Sequence, residues 1–276
     1  MSDQAERAAR ETGRQARRIA DSRWFETTAR AGFVGSGIVH LLVGYLVVLL
    51  GIGSASGEET DQSGALQQLA AVPGGIVLLW VVAVGTAALA LRLAVEAVVG
   101  GRSDSTRAWA ARAKDAGKAV VYGVVSYTAV TFALGAGKSS SGSSRGAAAQ
   151  ALATPGGVFV LVAAGVVAIA IGVGLVVTGV RRSFRKQLVP LPSTIDRPVT
   201  VLAIVGYVGK GIAVVVVGVL IVVAAFRSDP SQATGLDGAF QVIHGMPGGG
   251  VVLVLVGIGF LAYGVYSFFR AKYARL

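Results

Sequence analysis

Eight ionisable or hydroxyl-bearing side chains lie within or close to long apolar segments of this 276-residue sequence. Such groups are costly inside a membrane, and they usually face a bundle interior or water, where they take part in binding or proton transfer. Cations outnumber carboxylates among them, so they are best suited to binding an anion in a polar vestibule. The candidate vestibule residues are His40, Arg92, Glu96, Lys118, Tyr122, Lys210, Tyr266 and Arg270.

The same residues have a purely structural interpretation. Lys and Arg near helix ends extend their charges to the membrane interface, and Arg92 is spaced to pair with Glu96 one helical turn away. His40, Tyr122 and Val214 occupy matching positions of an internal repeat, yet their side chains differ in chemistry. Both interpretations stay open on the sequence alone.

No catalytic or metal-binding constellation accompanies these residues. The sequence has no cysteine and only two histidines, which are expected on opposite sides of the membrane. It contains no phosphate-binding loop and no H-E-x-x-H motif, and Glu96 is the only clear carboxylate within a predicted span. We therefore expect no metal and no cofactor, and we expect that the protein is not an enzyme.

The composition indicates an integral membrane protein. Hydrophobic residues make up 54% of the chain and charged residues only 14%, against about 25% charged in soluble domains. Six apolar stretches have about the 20 residues that a helix needs to cross a bilayer, and they lack the alternation of barrel strands. The predicted all-α fold has six transmembrane helices, at 32–53, 74–99, 117–137, 156–180, 201–226 and 248–269.

The distribution of positive charge predicts the topology. Of the 25 Lys and Arg residues, 22 fall on one side of the predicted spans, which places both termini in the cytoplasm of a bacterium, with the protein in the plasma membrane. Topology thus accounts for most of the net charge of +11, and no nucleic-acid partner is expected. Besides the bilayer itself, anionic lipid headgroups are plausible contacts of the basic tails. No protein partner is indicated.

One glycine-rich phrase occurs twice, as GFVGSGIVH at 32–40 and GYVGKGIAV at 206–214. A shift of 82 residues aligns the first hairpin with a second, and a shift of 174 aligns it with a third. The sequence therefore predicts three tandem helical hairpins of the same orientation, related by a pseudo-threefold axis along the membrane normal. The predicted segments are a basic tail at 1–31 and repeats at 32–100, 101–182 and 183–276.

The second half of each hairpin repeats as well, reading GALQQLAAVPGG at 64–75, GAAAQALATPGG at 146–157 and GAFQVIHGMPGG at 238–249. With the glycine phrase, this pattern resembles the bacterial membrane family known as domain of unknown function 1206, over about residues 24–272. The resemblance implies three two-helix membrane repeats and no particular activity. Mitochondrial carriers also have three such repeats, but their signature of proline, acid and base is absent from the odd-numbered helices.

Two sets of small or turn-forming residues recur at the repeat spacing. Small residues on one stripe let membrane helices approach closely, although such a stripe also suits the lining of a central cavity. Proline fits the first turn of a helix, although free N–H groups at helix starts also suit an anion. The predicted packing residues are Gly37, Gly44, Gly85, Gly211, Gly218 and Gly259, and the predicted outer turns are at Pro73, Pro155 and Pro247.

Two details of the outer side complete the predicted layout. The segment GALQQLAAV at 64–72 is expected to form a short interfacial helix, and KSSSGSSRG at 138–146 a flexible polar loop.

Two classes of function remain. One is a small transporter or channel-like protein with a cytoplasm-facing basic vestibule, and the other is a non-catalytic membrane scaffold or accessory subunit.

Overall fold

The computed structural model describes residues 23–54, 59–99 and 106–275. Most of the predicted N-terminal tail, at 1–22, lies outside these residues. The described part of the chain contains nine α-helices and two short 3₁₀ helices, with no multi-residue strand. The α-helices are α1 Arg23–Gly51, α2 Gln62–Ala71, α3 Gly75–Val99, α4 Thr106–Ala133, α5 Ser140–Leu152, α6 Gly157–Val180, α7 Ser193–Arg227, α8 Gly235–His244 and α9 Gly249–Tyr273.

Five of these helices, namely α1, α3, α6, α7 and α9, are long and apolar enough to cross a membrane. They are helical because backbone polar groups in lipid must be satisfied within the segment. The remaining long helix, α4, covers most of the third predicted span. It is not among the five, and its apolar part is interrupted by Lys118, Tyr122 and Ser126.

The short helices α2, α5 and α8 precede α3, α6 and α9, and together they form a layer that we call the cap. The helix predicted at 64–72 is confirmed as α2. The flexible loop predicted at 138–146 is wrong, because α5 begins at Ser140. Its start is stabilised by Ser139, whose hydroxyl accepts the Gly142 N–H at 2.9 Å, as an N-cap residue does.

Polar contacts join the three helices of the cap across the repeats. Thr60, just before α2, donates its backbone N–H and its hydroxyl to Asp237 of α8, at 2.8 and 3.0 Å. The Ser141 hydroxyl of α5 donates to the Thr234 carbonyl at 2.9 Å, and the Ser139 hydroxyl donates to Glu59. Each repeat is therefore tied to both others at this end of the bundle.

The Pro-Gly-Gly sequences form the turns between the cap helices and the long helices. The first glycine of each has a positive φ, +80° at Gly74, +82° at Gly156 and +76° at Gly248, a conformation that glycine adopts without steric strain. The N–H of the next residue in the first turn, Gly75, already donates to the Val72 carbonyl at 2.9 Å. The equivalent N–H groups in the other two turns are paired in the same way.

The most extensive helix packing joins each repeat to the next one. The long second helix of one repeat packs against the long first helix of the following repeat, as α3 with α4 and α6 with α7, and α9 returns to α1. In the α1–α9 contact, a Cβ added at Gly44 would lie 2.9 Å from the Gly257 carbonyl oxygen, and one added at Gly257 would lie 2.9 Å from that of Gly44. Only glycine allows backbones to approach this closely.

The same interface is built at matching positions of the other two pairs. Between α6 and α7, a Cβ added at Gly218 would lie 2.8 Å from the Gly165 carbonyl oxygen. Between α3 and α4, the Ser126 hydroxyl donates to the Ala83 carbonyl at 2.8 Å. The predicted stripe of small residues on the first, third and fifth predicted spans, which are α1, α4 and α7, therefore lies in the contacts between repeats.

The half of the bundle next to the cap has a solid apolar interior. Residues of α1, α2, α3, α4, α7, α8 and α9 contribute to it. Its largest fully buried side chains include Leu66, Leu79, Phe240 and Leu253. This cluster closes the interior toward the cap.

The opposite end of the bundle, which we call the base, consists of residues 181–192 and 270–275. The segment after α6 runs beside the end of the chain, with a β-bridge between Leu188 and Ala274. The Val189 N–H donates to the Tyr273 carbonyl at 2.9 Å, and the Arg275 N–H donates to the Gln187 carbonyl at 2.9 Å. These bonds hold the end of α9 against the loop that follows α6.

Candidate functional site

His40 of α1 lies at the centre of a buried polar cluster in the base half of the bundle. Its Nδ1 lies 2.7 Å from the Ser36 carbonyl oxygen, and because a carbonyl can only accept, Nδ1 carries the proton. Nε2 is then an acceptor, and the Lys210 ammonium of α7 donates to it at 2.8 Å. One imidazole thus links two repeats.

Lys210 is partly buried and is held by aromatic rings as well as by His40. Its Nζ lies 4.6 Å from the centroid of the Tyr263 ring of α9, a cation–π distance. The Tyr263 ring also lies 4.7 Å from the His40 ring. The ammonium is therefore fixed in position without any acidic partner among the described residues.

Arg270 of α9 is the second cation of the cluster and belongs to the base. Its guanidinium lies 4.5 Å from the centroid of the Phe33 ring, and Nη2 donates to Gln187 Oε1 at 2.9 Å. Its Nε is buried and has no hydrogen-bond partner among the described residues. A buried donor without a partner is unfavourable, so this atom marks a place where a ligand acceptor would be stabilised.

Tyrosine side chains fill the space between the two cations. The Tyr207 and Tyr263 rings meet edge to face with centroids 5.3 Å apart, and Phe184 of the base lies 5.7 Å from Tyr207. Tyr266 is fully buried, and its hydroxyl makes no hydrogen bond of good geometry within the described residues. Tyr122 of α4 is partly buried and packs in an apolar cluster with Phe33, the ring that faces the Arg270 guanidinium.

The structure brings together five of the eight candidate vestibule residues, and we refer to them with Tyr207 and Tyr263 as the cation cluster. The other three candidates make local pairs. Arg92 Nε lies 2.9 Å from Glu96 Oε1 on the same helix, and Lys118 Nζ lies 2.7 Å from Asp115 Oδ1. The five that converge are His40, Tyr122, Lys210, Tyr266 and Arg270.

Sequence reasoning missed Tyr207, Tyr263, Phe33, Phe184 and Gln187. Two of them carried a usable signal, since Tyr207 precedes Lys210 by three residues and Tyr263 precedes Tyr266 by three, so each pair shares a helix face. The others come from the start of α1 and from the loop after α6. Only the tertiary structure brings those segments to the cluster.

The repeat that the structure displays is also found by comparison with known proteins. A model of the Domain of Unknown Function DUF1206 matches the chain three times, over residues 31–100, 113–182 and 205–274. The starts of these matches are separated by the same 82 and 174 residues that align the three hairpins.

The chain belongs to the DUF1206 family. A relative in Bacillus subtilis strain 168, described as uncharacterized protein YxxB, is 25% identical over an alignment of 264 residues, and the alignment covers 92% of each chain. No solved structure matches this DUF1206 chain.

The three DUF1206 repeats contribute unequally to the cation cluster. Ser36, Lys118 and Lys210 are equivalent positions, and the first and third of them contact His40 while Lys118 pairs with Asp115. Arg270 also belongs to the third repeat. The cluster is therefore a single asymmetric site at the base end, supplied mainly by the first and third repeats.

Proposed function

We propose that this protein is a small membrane transporter that binds an anion at the cation cluster, with the base facing the cytoplasm. One observation carries the proposal. Lys210 and Arg270 share an aromatic enclosure, and no described carboxylate pairs with either of them. Cations removed from water are strongly unfavourable unless an anion compensates them, and a bound anion supplies that compensation.

The packed interior near the cap supports a transporter rather than a continuous channel. Leu66, Phe240 and Leu253 are fully buried there, whereas the polar groups lie toward the base. This distribution fits a binding site accessible from one side, with the other side closed. Movement of the hairpins against one another would then be needed to expose the site to the cap side.

The proposal includes six spans, with α4 as the third. Its 28 residues are sufficient in length, and three hairpins of equal orientation put all three cap helices on the same side. The excess of Lys and Arg at the base end supports a cytoplasmic base in a bacterial plasma membrane.

Single cysteines in this cysteine-free chain test that topology. Ser143→Cys lies in the cap and Ser193→Cys near the base, and both positions are exposed. A membrane-impermeant thiol reagent applied to intact cells should label the first and not the second. The reverse pattern would contradict the orientation, and labelling of both would contradict the single span, α6, between the two positions.

Anion binding is tested by thermal unfolding of the purified protein in detergent with inorganic phosphate, glycerol 3-phosphate or chloride. A phosphate-bearing ligand should raise the unfolding temperature of the wild type. The rise should be lost in Lys210→Gln, which keeps a donor for His40, and in Arg270→Gln. Lys118→Gln, whose partner Asp115 lies outside the cluster, is the matched control and should behave as the wild type.

A non-catalytic scaffold or accessory subunit is the second candidate. The glycine contacts between repeats and the filled interior near the cap favour it, since they describe a rigid body. A partner that co-purifies in fixed stoichiometry would support it. Anion flux into proteoliposomes that disappears with Lys210→Gln would contradict it.

A further inference from the structure

The second repeat differs from the other two in how its two long helices are arranged. In the first repeat α1 packs against α3, and in the third α7 packs against α9, whereas α4 and α6 form no packed interface within the described residues. All other neighbouring long helices are packed. The bundle therefore has one lateral opening, between α4 and α6, which we call the α4–α6 gap.

Equivalent glycines show the difference directly. A Cβ added at Gly35 of the first repeat would lie 2.9 Å from the Val82 Cα, and one at Gly209 of the third repeat would lie 2.8 Å from the Gly259 Cα. A Cβ at the matching Gly117 of α4 would meet nothing within 4 Å. The face that closes the other hairpins is thus uncovered on α4.

Apolar residues on α4 that should be internal are exposed at the gap. Val121 matches Val39 and Ala213, which are 1% and 0% exposed, yet Val121 is 59% exposed. Because Val39 and Ala213 belong to the apolar core of the bundle, the matching face of α4 leads from the surface toward the interior.

The facing wall on α6 shows the same contrast. Ile171 matches Leu89 and Tyr263, which are 3% and 7% exposed, yet Ile171 is 52% exposed. Gly174, one turn further toward the base, has nothing within 4 Å of an added Cβ. The two walls of the gap are therefore apolar over several helical turns.

The gap ends at the cation cluster. Tyr122 follows Val121 on α4 and packs in one apolar cluster with Phe33, the ring that lies 4.5 Å from the Arg270 guanidinium. Arg270 lies three residues before the end of α9 at Tyr273, about 5 Å along the axis at the helical rise, and is therefore close to the end of this candidate membrane span. The apolar α4–α6 gap therefore adjoins two cations, Lys210 and Arg270. One of them, Arg270, has a buried Nε without a hydrogen-bond partner among the described residues.

We infer that the anion bound by this protein is an anionic lipid, which enters sideways through the α4–α6 gap. Its acyl chains lie along Val121 and Ile171, and its phosphate is held by Lys210 and Arg270. This inference rests on the proposed anion site and adds to it the class of ligand and its route. A soluble anion would reach the same cations from the base and would need no apolar wall.

The first experiment compares lipids by native mass spectrometry and thermal unfolding of the wild type in detergent. Dioleoylphosphatidylglycerol should be retained and should raise the unfolding temperature, while dioleoylphosphatidylcholine, with the same chains and a zwitterionic headgroup, should do neither. Equal effects of both lipids would overturn the inference. This comparison needs no variant and so does not depend on a mutant's folding.

The second experiment fills the gap. Gly117→Leu and Gly174→Leu place side chains into open space, and Gly146→Leu in the cap is the matched control because it is also open. The first two should bind phosphatidylglycerol about tenfold more weakly than the control, as Lys210→Gln should, by the loss of a charge-assisted contact. Unchanged binding in both gap variants would overturn the inference.

The soluble headgroup separates this inference from the proposed function. Suppose that glycerol 3-phosphate stabilises the wild type as strongly as the whole lipid, with an effect that is lost in Lys210→Gln and kept in Gly117→Leu and Gly174→Leu. In that case the anion site stands and the lipid inference fails. If neither glycerol 3-phosphate nor phosphatidylglycerol acts through Lys210, both the anion site and the lipid inference fail.

Discussion

His40 and Lys210 form a pair in which each side chain satisfies the other. The imidazole needs a donor at Nε2 because its proton is committed to the Ser36 carbonyl, and the ammonium needs acceptors because it is partly buried. Removing one partner leaves a buried polar atom without a hydrogen bond, whereas removing both partners leaves no unpaired polar atom from this pair. The two residues should therefore be strongly coupled.

Lys210→Met should lower the free energy of unfolding by about 1–3 kcal/mol, because it leaves His40 Nε2 without its hydrogen-bond donor. The double variant His40→Leu/Lys210→Met should recover most of that loss. A double-mutant cycle from thermal or denaturant unfolding in detergent measures the coupling. Additive losses in the double variant would mean that the two side chains act independently.

Asp61 is a buried carboxyl in the cap, at the N-cap of α2. Burial raises its pKa above the ordinary value of 3.8, while hydrogen bonds from Ser63 and Gly64 oppose the rise. A raised pKa in the folded state means that the associated stability is present at low pH. That stability is lost as the pH rises through the folded-state value.

Asp61→Asn keeps a side-chain oxygen for the N-cap and cannot ionise. Its stability relative to the wild type should therefore increase between pH 3 and pH 7. Asp61→Ala, the control, should lose about 1 kcal/mol through the missing cap. Unfolding temperatures of the three proteins at several pH values check this, and an Asn variant that falls behind the wild type toward neutral pH would contradict it.

At the scale of helices, the contact between α1 and α9 depends on glycines spaced by seven residues. Gly37, Gly44 and Gly51 of α1 meet Gly264, Gly257 and Gly250 of α9 through their backbone carbonyls. At Gly37, Gly44 and Gly51 the nearest atom that a side chain would meet is a backbone atom, which cannot move aside without separating the helices. This interface should therefore be sensitive to added volume.

Gly44→Val should destabilise the protein by about 1–3 kcal/mol, because its Cβ would lie 2.7 Å from the Leu261 backbone nitrogen. Gly123→Val is the matched control, since Gly123 of α4 has nothing within 4 Å. Thermal unfolding of the two variants gives the comparison. Equal losses would mean that helix propensity, and not packing, determines the result.

Element-level features were predictable where they follow from periodicity. The repeat offsets, the turns at Pro73, Pro155 and Pro247 and the packing role of Gly44 could all be derived from the sequence, because small residues and turn formers recur at fixed spacing. The helix that begins at Ser140 could not, because its serines and glycines are typical of loops. That helix is stabilised by its cap contacts with Thr234 and Ser63.

The candidate site was predictable only in part. The convergence of His40, Lys210 and Arg270 follows from their matching faces in the repeats, but Arg92 and Lys118 sit within one turn of an acid and pair with it instead. The α4–α6 gap has no sequence signal at Gly117, since glycine stands at the matching positions of all three repeats. Its opening is a property of the assembled bundle.

At the scale of the whole molecule, the first and last long helices are also joined at the base. Arg30 Nη1 donates to the Ala271 carbonyl at 2.7 Å and to the Lys272 carbonyl at 2.5 Å. These carbonyls belong to the last turn of α9, where a helix leaves its acceptors unpaired. A cation there also interacts favourably with the helix dipole.

Arg30→Met should cost about 1.5–3 kcal/mol, the range for hydrogen bonds to a charged group. Arg185→Met, which breaks the exposed pair with Asp196, is the control and should cost less than about 1 kcal/mol. Unfolding of both variants in detergent measures the difference. A loss for Arg30→Met no greater than that for the control would show that the contact adds nothing to the docking of α9 on α1.

The return of α9 to α1 has a consequence for biogenesis. Helix α1 is synthesised well before α9. The stripe at Gly37, Gly44 and Gly51 therefore lacks its partner helix, α9, until the other long helices have been synthesised. The contact between Gly44 and Gly257 joins residues more than 200 positions apart in the sequence, and contacts of such long range form slowly. Because α4 and α6 form no packed interface within the described residues, the described long helices until then form two separate groups, α1 with α3 and α4, and α6 with α7. Docking of α9 against both α1 and α7 joins the two groups.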